Sequence, residues 1–219
     1  LAEFTQRMAP MLEAYGLTEC SFVCTIPRWG ITKQGTTGLP YPGIELRVVD
    51  PEDPSKNVPE GEMGELLINS PGNLVGYHNL PDVTAERLLP GNWLRTHDIV
   101  RADEDGYIEI VGRQDDRIAC AGEMIYPKEV ENVLMEHPNV SDVAVVPMPD
   151  DVKGEVPVAF VVEKKPGLLT ADELKQFFFE HGAAYTHPRK VFITDALPLT
   201  GAKKVDRIAL KEMVLNDVA

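Results

Sequence analysis

The sequence predicts a mixed α/β fold of the α+β kind in two parts, and three observations carry that prediction. Residues 40–113 hold short apolar or alternating runs separated by turn residues, the signature of strands. From about residue 115 helical and strand patterns alternate. Between them, residues 113–117 are polar and flanked by apolar sequence, which suits an exposed connection. The boundary is therefore expected at 114/115, with parts spanning 1–114 and 115–219.

Leu1, Phe4 and Met8 fall at helical spacing from the first residue, so the chain reads as opening inside an element, as a fragment would. Met11 to Tyr15 is strand-like. Ile44–Val49 alternates, Glu65–Ile68 is a short apolar run, and Tyr107–Val111 alternates again. Asp50-Pro51, Pro59–Gly61, Pro71-Gly72 and Asp103–Gly106 supply the turn chemistry between them. Thr84–Leu89 reads as a short helix stopped by Pro90-Gly91. Together these describe a β-rich, barrel-like subdomain. In the second part Pro127 suits a first helical position, with Val130, Val133 and Leu134 following on one face. Val143–Val146 and Val156–Val162 are strands. Thr170 and Glu173 have capping-box spacing ahead of Leu174, Phe177 and Phe178. Val191–Ile193 is a last strand and 205–215 a last helix.

Composition narrows the function. With 219 residues, 43% hydrophobic and 26% charged, the chain is an ordinary globular protein. A formal charge of −14 argues against general binding to nucleic acid or anionic membranes. Any phosphate ligand must meet a locally basic patch. No apolar run approaches the roughly 18–20 residues a membrane span needs, and no signal peptide is visible. Cys20, Cys24 and Cys120 form no CxxC pattern, so reduced thiols in a cytoplasmic protein are expected.

Five segments carry chemistry. In Tyr15-Gly-Leu-Thr-Glu19 a hydroxyl and a carboxylate follow a glycine turn: Thr18 can bond a phosphate oxygen, and Glu19 can hold Mg2+, a hard cation. An ordinary strand-to-helix turn with Thr18 as N-cap explains the same residues. Gly35-Thr-Thr-Gly38-Leu-Pro40 resembles a phosphate loop, but no lysine follows and a strand begins at Ile44, so it reads as a structural turn. Trp93–Asp98 places an Asp at a strand end, able to accept both hydroxyls of a ribose, and Ile110–Arg113 adds an Arg. A buried Asp–Arg pair is the alternative. In the run 112–131, Gly122 offers backbone that a thin ligand can approach; a surface turn is the plainer reading. Leu197–Arg207 sets Lys203, Lys204 and Arg207 in a glycine-containing loop, suited to charge developing at phosphate, or simply a basic surface loop.

Each segment is ambiguous; their order is not. Tyr15-Gly-Leu-Thr-Glu19 resembles YGxTE, Leu94–Asp98 a YxTGD-like motif, Gly112–Ile118 GRxDDxI, and Leu197–Arg207 LPxTxxGKxxR. These motifs belong to the adenylate-forming superfamily of acyl- and aryl-CoA synthetases, adenylation domains and luciferases. Ala121–Glu131 is nearer the GGENIxPxEVE of acyl- and aryl-CoA ligases than the GxRIExxEIE of amino-acid-activating domains. The resemblance implies that residues 1–114 are the C-terminal part of a large adenylation domain and 115–219 a small mobile domain. It implies ATP, Mg2+ and CoA as cosubstrates and cofactor, a carboxylic acid substrate, an acyl-adenylate and then a CoA thioester. By position, Thr18 contacts ATP phosphates, Glu19 holds Mg2+, Asp98 and Arg113 bind the ribose, and Ile110 packs beside adenine. Lys204 contacts the reacting carboxylate and α-phosphate. Asp115 is the hinge; Gly122, His187 and Arg189 are candidates for CoA.

Three departures stand out. His97 occupies the place of Gly or Ser, Lys203 the place of the Gly before the catalytic Lys, and Met124 that of Asn or Arg. The competing functions are an adenylation domain loading a carrier protein and a non-catalytic nucleotide- or CoA-binding module. The acid and the oligomeric state are not legible, and the 219 residues alone are expected not to turn over.

Overall fold

The computed structural model describes residues 12–28 and 30–218. The helical spacing of Leu1, Phe4 and Met8, and Met11 at the head of the expected first strand, lie outside the described residues. The chain divides into two compact units between Gln114 and Asp115.

In the first unit every strand pairing is antiparallel. β1 (Tyr15–Leu17), β2 (Phe22–Ile26) and β3 (Leu39–Pro40) form one sheet. β4 (Glu45–Val49), β5 (Met63–Asn69), β6 (Leu88–Leu89), β7 (Trp93–Ala102) and β8 (Ile108–Arg113) form a second, in the order β4-β5-β7-β6 with β8 also on β7. The two share a core of Cys20, Cys24, Leu66, Ile68, Leu94, Val100 and Ile108. β5 is central and buried on both faces, which is why Leu66-Leu67-Ile68 is a continuous apolar run.

Two sequence expectations change here. The helix expected at Thr84–Leu89 is α1 (Pro81–Arg87). Pro81 pre-sets its first turn, and Leu88-Leu89 leave it to pair with Trp93-Leu94 across the turn at Pro90–Asn92. Residues 12–14 are not strand; β1 begins at Tyr15. The thiol expectation is also corrected. Cys20 and Cys24 are paired as a disulfide, while Cys120 is free and buried. Cys24 is the unpaired residue where the β1–β2 register slips, and both cysteines enter the same core. The cysteines therefore no longer argue for a reducing compartment.

The second unit is built on β9 (Ile118–Cys120), β10 (Glu123–Ile125), β11 (Val140–Asp150), β12 (Gly154–Glu163) and β13 (Lys190–Thr194). The order is β10-β9-β12-β11, and β13 runs parallel to β12. Alternation along β11 separates two cores. Val143 and Val145 join Val130 and Leu134 of α2 (Pro127–Met135) and Leu174 and Phe178 of α3 (Ala171–His181). Ala144 and Val146 join Leu210 and Val214 of α4 (Arg207–Val218). Helices on both faces explain why Val143–Val146 of β11 and Val156–Val162 of β12 run without a polar residue.

The capping box at Thr170 and Glu173 is present in full. The last helix starts at Arg207 rather than 205, because Asp206 Oδ1 accepts the Ile208 and Ala209 amides and fixes the first turn there. The β9–β10 hairpin was missed, since its strands are three residues each. Among the described residues no helix is long and apolar enough to cross a membrane.

Candidate functional site

In the first unit the site forms where β7 bulges. Glu65 lies opposite Ile99 and Leu67 opposite Arg95, so β7 carries extra residues at 96–98. Thr96 is buried and its hydroxyl donates to the Leu66 carbonyl at 2.7 Å; the Asp98 amide donates back to Thr96 Oγ1 at 3.0 Å. His97 takes a left-handed backbone, φ 58°, and its amide donates to Glu65 Oε1 at 3.2 Å. Glu65 is fully buried and held by Arg95 at 2.5 Å. This bracing turns Asp98 toward Arg113, its register partner on β8.

Asp98 is therefore not at a strand end, as its sequence context suggests, but inside β7 at a bulge. Arg113 Nη1 donates to its Oδ1 at 3.0 Å and the Tyr15 hydroxyl to its Oδ2 at 2.5 Å. Burial pushes the Asp98 carboxyl above its ordinary value, while Tyr15 and Arg113 pull it back down. Burial, then the Asp98 charge, push the Tyr15 phenol far up, so it stays a donor. A mostly buried carboxylate with each oxygen fixed by a different donor suits recognition of a diol, whose hydroxyls bond one to each oxygen. Ile110, opposite Val100, is partly buried against the core.

Thr18 and Glu19 lie on a single 3-10 turn, Thr18–Cys20. The residue before the turn is Leu17 and no side chain caps it, so Thr18 is not an N-cap; it is exposed. The Glu19 carbonyl accepts the Leu74 amide at 2.7 Å, and its Oε1 accepts the Tyr77 hydroxyl at 3.0 Å. Among the described residues no group of three or more His, Cys, Asp or Glu could hold a metal. One carboxylate still fits Mg2+, which commonly takes one or two protein carboxylates and completes its shell with phosphate and water. Gly35–Gly38 is a structural turn: Thr37 donates to the Ile108 carbonyl and Ile108 to the Gly38 carbonyl.

In the second unit Lys204 is exposed on a short hairpin loop. Leu199 and Val205 form a bridge, Thr200 donates to the Lys204 carbonyl at 2.7 Å, and Lys203 donates to the Thr200 carbonyl at 2.9 Å. Lys203 has a left-handed backbone, φ 58°. Ala121 and Gly122, φ 53° and 90°, are the two central residues of the β9–β10 turn. This is the primed hairpin geometry, so the turn itself calls for the Gly122 glycine. His187 follows a 3-10 turn at Ala184–Thr186, packs at a tilt against Phe179 and contacts Arg189 Nη1; burial lowers its pKa. Asp115 is exposed in the 3-10 turn Gln114–Asp116.

Sequence reasoning missed Tyr15, Tyr77 and the Glu65–Arg95 pair as parts of the site. Tyr15 heads a quoted motif and was legible; Glu65 read only as the start of an apolar strand.

The chain is similar to known proteins along most of its length. Residues 1–78 match the AMP-binding enzyme family and residues 129–204 the AMP-binding enzyme C-terminal domain. A long-chain-fatty-acid–CoA ligase of Escherichia coli O6:H1 is 38% identical over 203 residues, 92% of this chain and 36% of that protein. A 2-succinylbenzoate–CoA ligase of Geobacillus sp. is 35% identical, covering 95% and 42%. The ATP-bound MatB of Rhodopseudomonas palustris superposes with a TM-score of 0.91 at 29% identity, covering 100% of this chain and 43% of that one. The Bacillus subtilis o-succinylbenzoate CoA synthetase with ATP and magnesium gives 0.83 at 32%, covering 96% and 43%. The chain thus spans less than half the length of each of these relatives.

Proposed function

The chain belongs to the AMP-binding, adenylate-forming enzymes, and from that premise we propose that it works as part of an ATP-dependent acid–thiol ligase. A carboxylate oxygen attacks the α-phosphorus of ATP, the bond to pyrophosphate breaks, and an acyl-adenylate forms. The sulfur of CoA then attacks the acyl carbon, AMP leaves, and the thiol proton is released.

The observation that carries this reading is Asp98, mostly buried and gripped by Tyr15 and Arg113. In the proposed reaction Asp98 takes the ribose hydroxyls, Arg113 adds its charge beside them, and Ile110 flanks the adenine. Thr18 donates its exposed hydroxyl to a phosphate oxygen, and Glu19, steadied by Tyr77, is the carboxylate that would hold Mg2+. When bound, that ion offsets phosphate charge. Lys204 meets the charge that builds on the carboxylate and α-phosphate oxygens. Asp115 serves as the hinge at which 115–219, as a small mobile domain, reorients between the half-reactions. Gly122, His187 and Arg189 remain candidates toward CoA, Arg189 with His187 as its neighbour. CoA is favoured over a carrier protein by the 121–131 segment and by the two CoA-ligase relatives named above. A cytoplasmic location, where ATP and CoA are available, belongs to the same proposal.

The test is a panel of carboxylic acids offered to the full-length enzyme with ATP, Mg2+ and CoA, scored by pyrophosphate release and thioester formation. Lys204→Ala is expected to lower pyrophosphate exchange about 100-fold or more, the scale of losing one preorganised charge partner. Normal exchange by that variant removes Lys204 from the mechanism. The 219 residues alone are expected to form no thioester.

A further inference from the structure

β11 is an edge strand: β12 pairs with it on one side, and among the described residues no strand covers the other. An open edge leaves backbone donors and acceptors that need partners. At Val145, in the middle of β11, both are met by one ion pair. The Val145 amide donates to Glu131 Oε1 at 2.9 Å, and Arg207 Nη1 donates to the Val145 carbonyl at 2.6 Å. The ring closes through Arg207 Nη2, which donates to the same Glu131 oxygen at 2.7 Å. Glu131, on α2, is only 6% exposed. An arginine fork is needed here, because one head group must reach a carbonyl and a carboxylate at once.

This ring lies three residues beyond Lys204. Asp206 donates to the Pro198 carbonyl at 2.8 Å, and with the Leu199–Val205 bridge this closes the neck of the lysine hairpin. One foot of the hairpin is Leu197, buried in the core with Leu210 and Val214. The other foot is Arg207. The tip, Gly201 to Lys204, is exposed. A lysine that must place its ammonium within hydrogen-bond reach of reacting oxygens needs such a fixed base, since its own stem has four rotatable bonds.

We propose that the Glu131–Arg207 pair is the positioning device for Lys204, pinning the second foot of the lysine hairpin to the free edge of the sheet. The inference rests on the adenylation role proposed for Lys204. It adds that Glu131, a helix residue outside the lysine loop, sets where that lysine stands. Neither residue need touch substrate.

The test uses Glu131→Gln and Arg207→Lys in the full-length enzyme. Glutamine keeps an oxygen for the Val145 amide and loses the charge that holds Arg207, so the fold survives; a melting curve checks this. Three readouts follow. Hydrogen exchange at the amides of Thr200, Lys203 and Asp206 is expected to speed up about tenfold or more. Pyrophosphate exchange is expected to fall about 100-fold in kcat, the scale of a 1 Å misplacement, with KM for ATP little changed. Thioester formation from supplied acyl-adenylate is expected to stay within about twofold, since only an interaction specific to the first half-reaction is lost. The proposal is overturned if both half-reactions fall in parallel, the mark of a general structural role, or if the hairpin amides and pyrophosphate exchange are unaffected. Should the unsubstituted enzyme lack pyrophosphate exchange, the ligase reading itself fails; the anchoring then stands or falls on the hydrogen-exchange arm alone.

Discussion

His97, Ala121 and Lys203 share a property no composition count reveals: each adopts a left-handed backbone, with φ of 58°, 53° and 58°. Each also stands where the motifs it resembles carry glycine. The chain has kept the conformation and replaced the residue that adopts it most cheaply. The left-handed position before the lysine of that motif is Lys203, which supports the role proposed for Lys204. His97→Gly and Lys203→Gly are each expected to stabilise the protein by about 1 kcal/mol, the left-handed cost less the extra entropy of unfolded glycine. Urea unfolding of the single variants decides, and a loss of stability in both contradicts the strain argument. Asp98 offers a pH test. Its carboxyl is raised by burial, so the folded state holds its proton longer than the unfolded state. Stability on its account falls as pH climbs from the unfolded value through the folded one, then levels. Tyr15→Phe removes a donor that lowers this pKa and is expected to move the Asp98 midpoint upward, read by NMR titration of the carboxyl carbon. An unmoved or lower midpoint would mean the 2.5 Å bond does not persist in solution.

Elements with a strong period were legible: β4, β5, β11, β12, α2 and the capping box of α3 all lie within a few residues of their expected places. β7 was not read as one ten-residue strand, because the bulge at 96–98 breaks its alternation. The same bulge makes the site, so the irregularity that hid the strand is the one that aims Asp98. β9 and β10 were too short to show a period. The Gly35–Gly38 turn tests how far such reading goes. At Gly38, φ is 93° and a Cβ would come within 2.2 Å of the Ile26 carbonyl carbon. Gly38→Ala is thus expected to destabilise the first unit by about 3–5 kcal/mol, among the largest single effects. A phosphate-binding loop would instead lose nucleotide affinity at unchanged stability, and that result reverses the assignment. Thr170→Ala, removing the capping box, is expected to cost about 1 kcal/mol in the same assay.

At the scale of the molecule, the hydrophobic clusters among the described residues are internal to one unit or the other. There, the core with Leu66 and Leu94 holds residues before 114, and those with Leu134 and Leu210 hold residues after 115. A chain beginning at Asp115 is therefore expected to unfold cooperatively on heating, followed by circular dichroism; a broad, non-cooperative melt would show that the second unit needs the first. The polar composition of residues 113–117 made this division legible, whereas pairings such as Tyr15 with Asp98 depend on contacts 83 residues apart that no local pattern encodes. The backbone crosses between the units once. A gene spliced at codons 114 and 115 would leave each described core whole, so descendants could exchange the second half between related genes. Inheritance of the two halves need not have followed a single line.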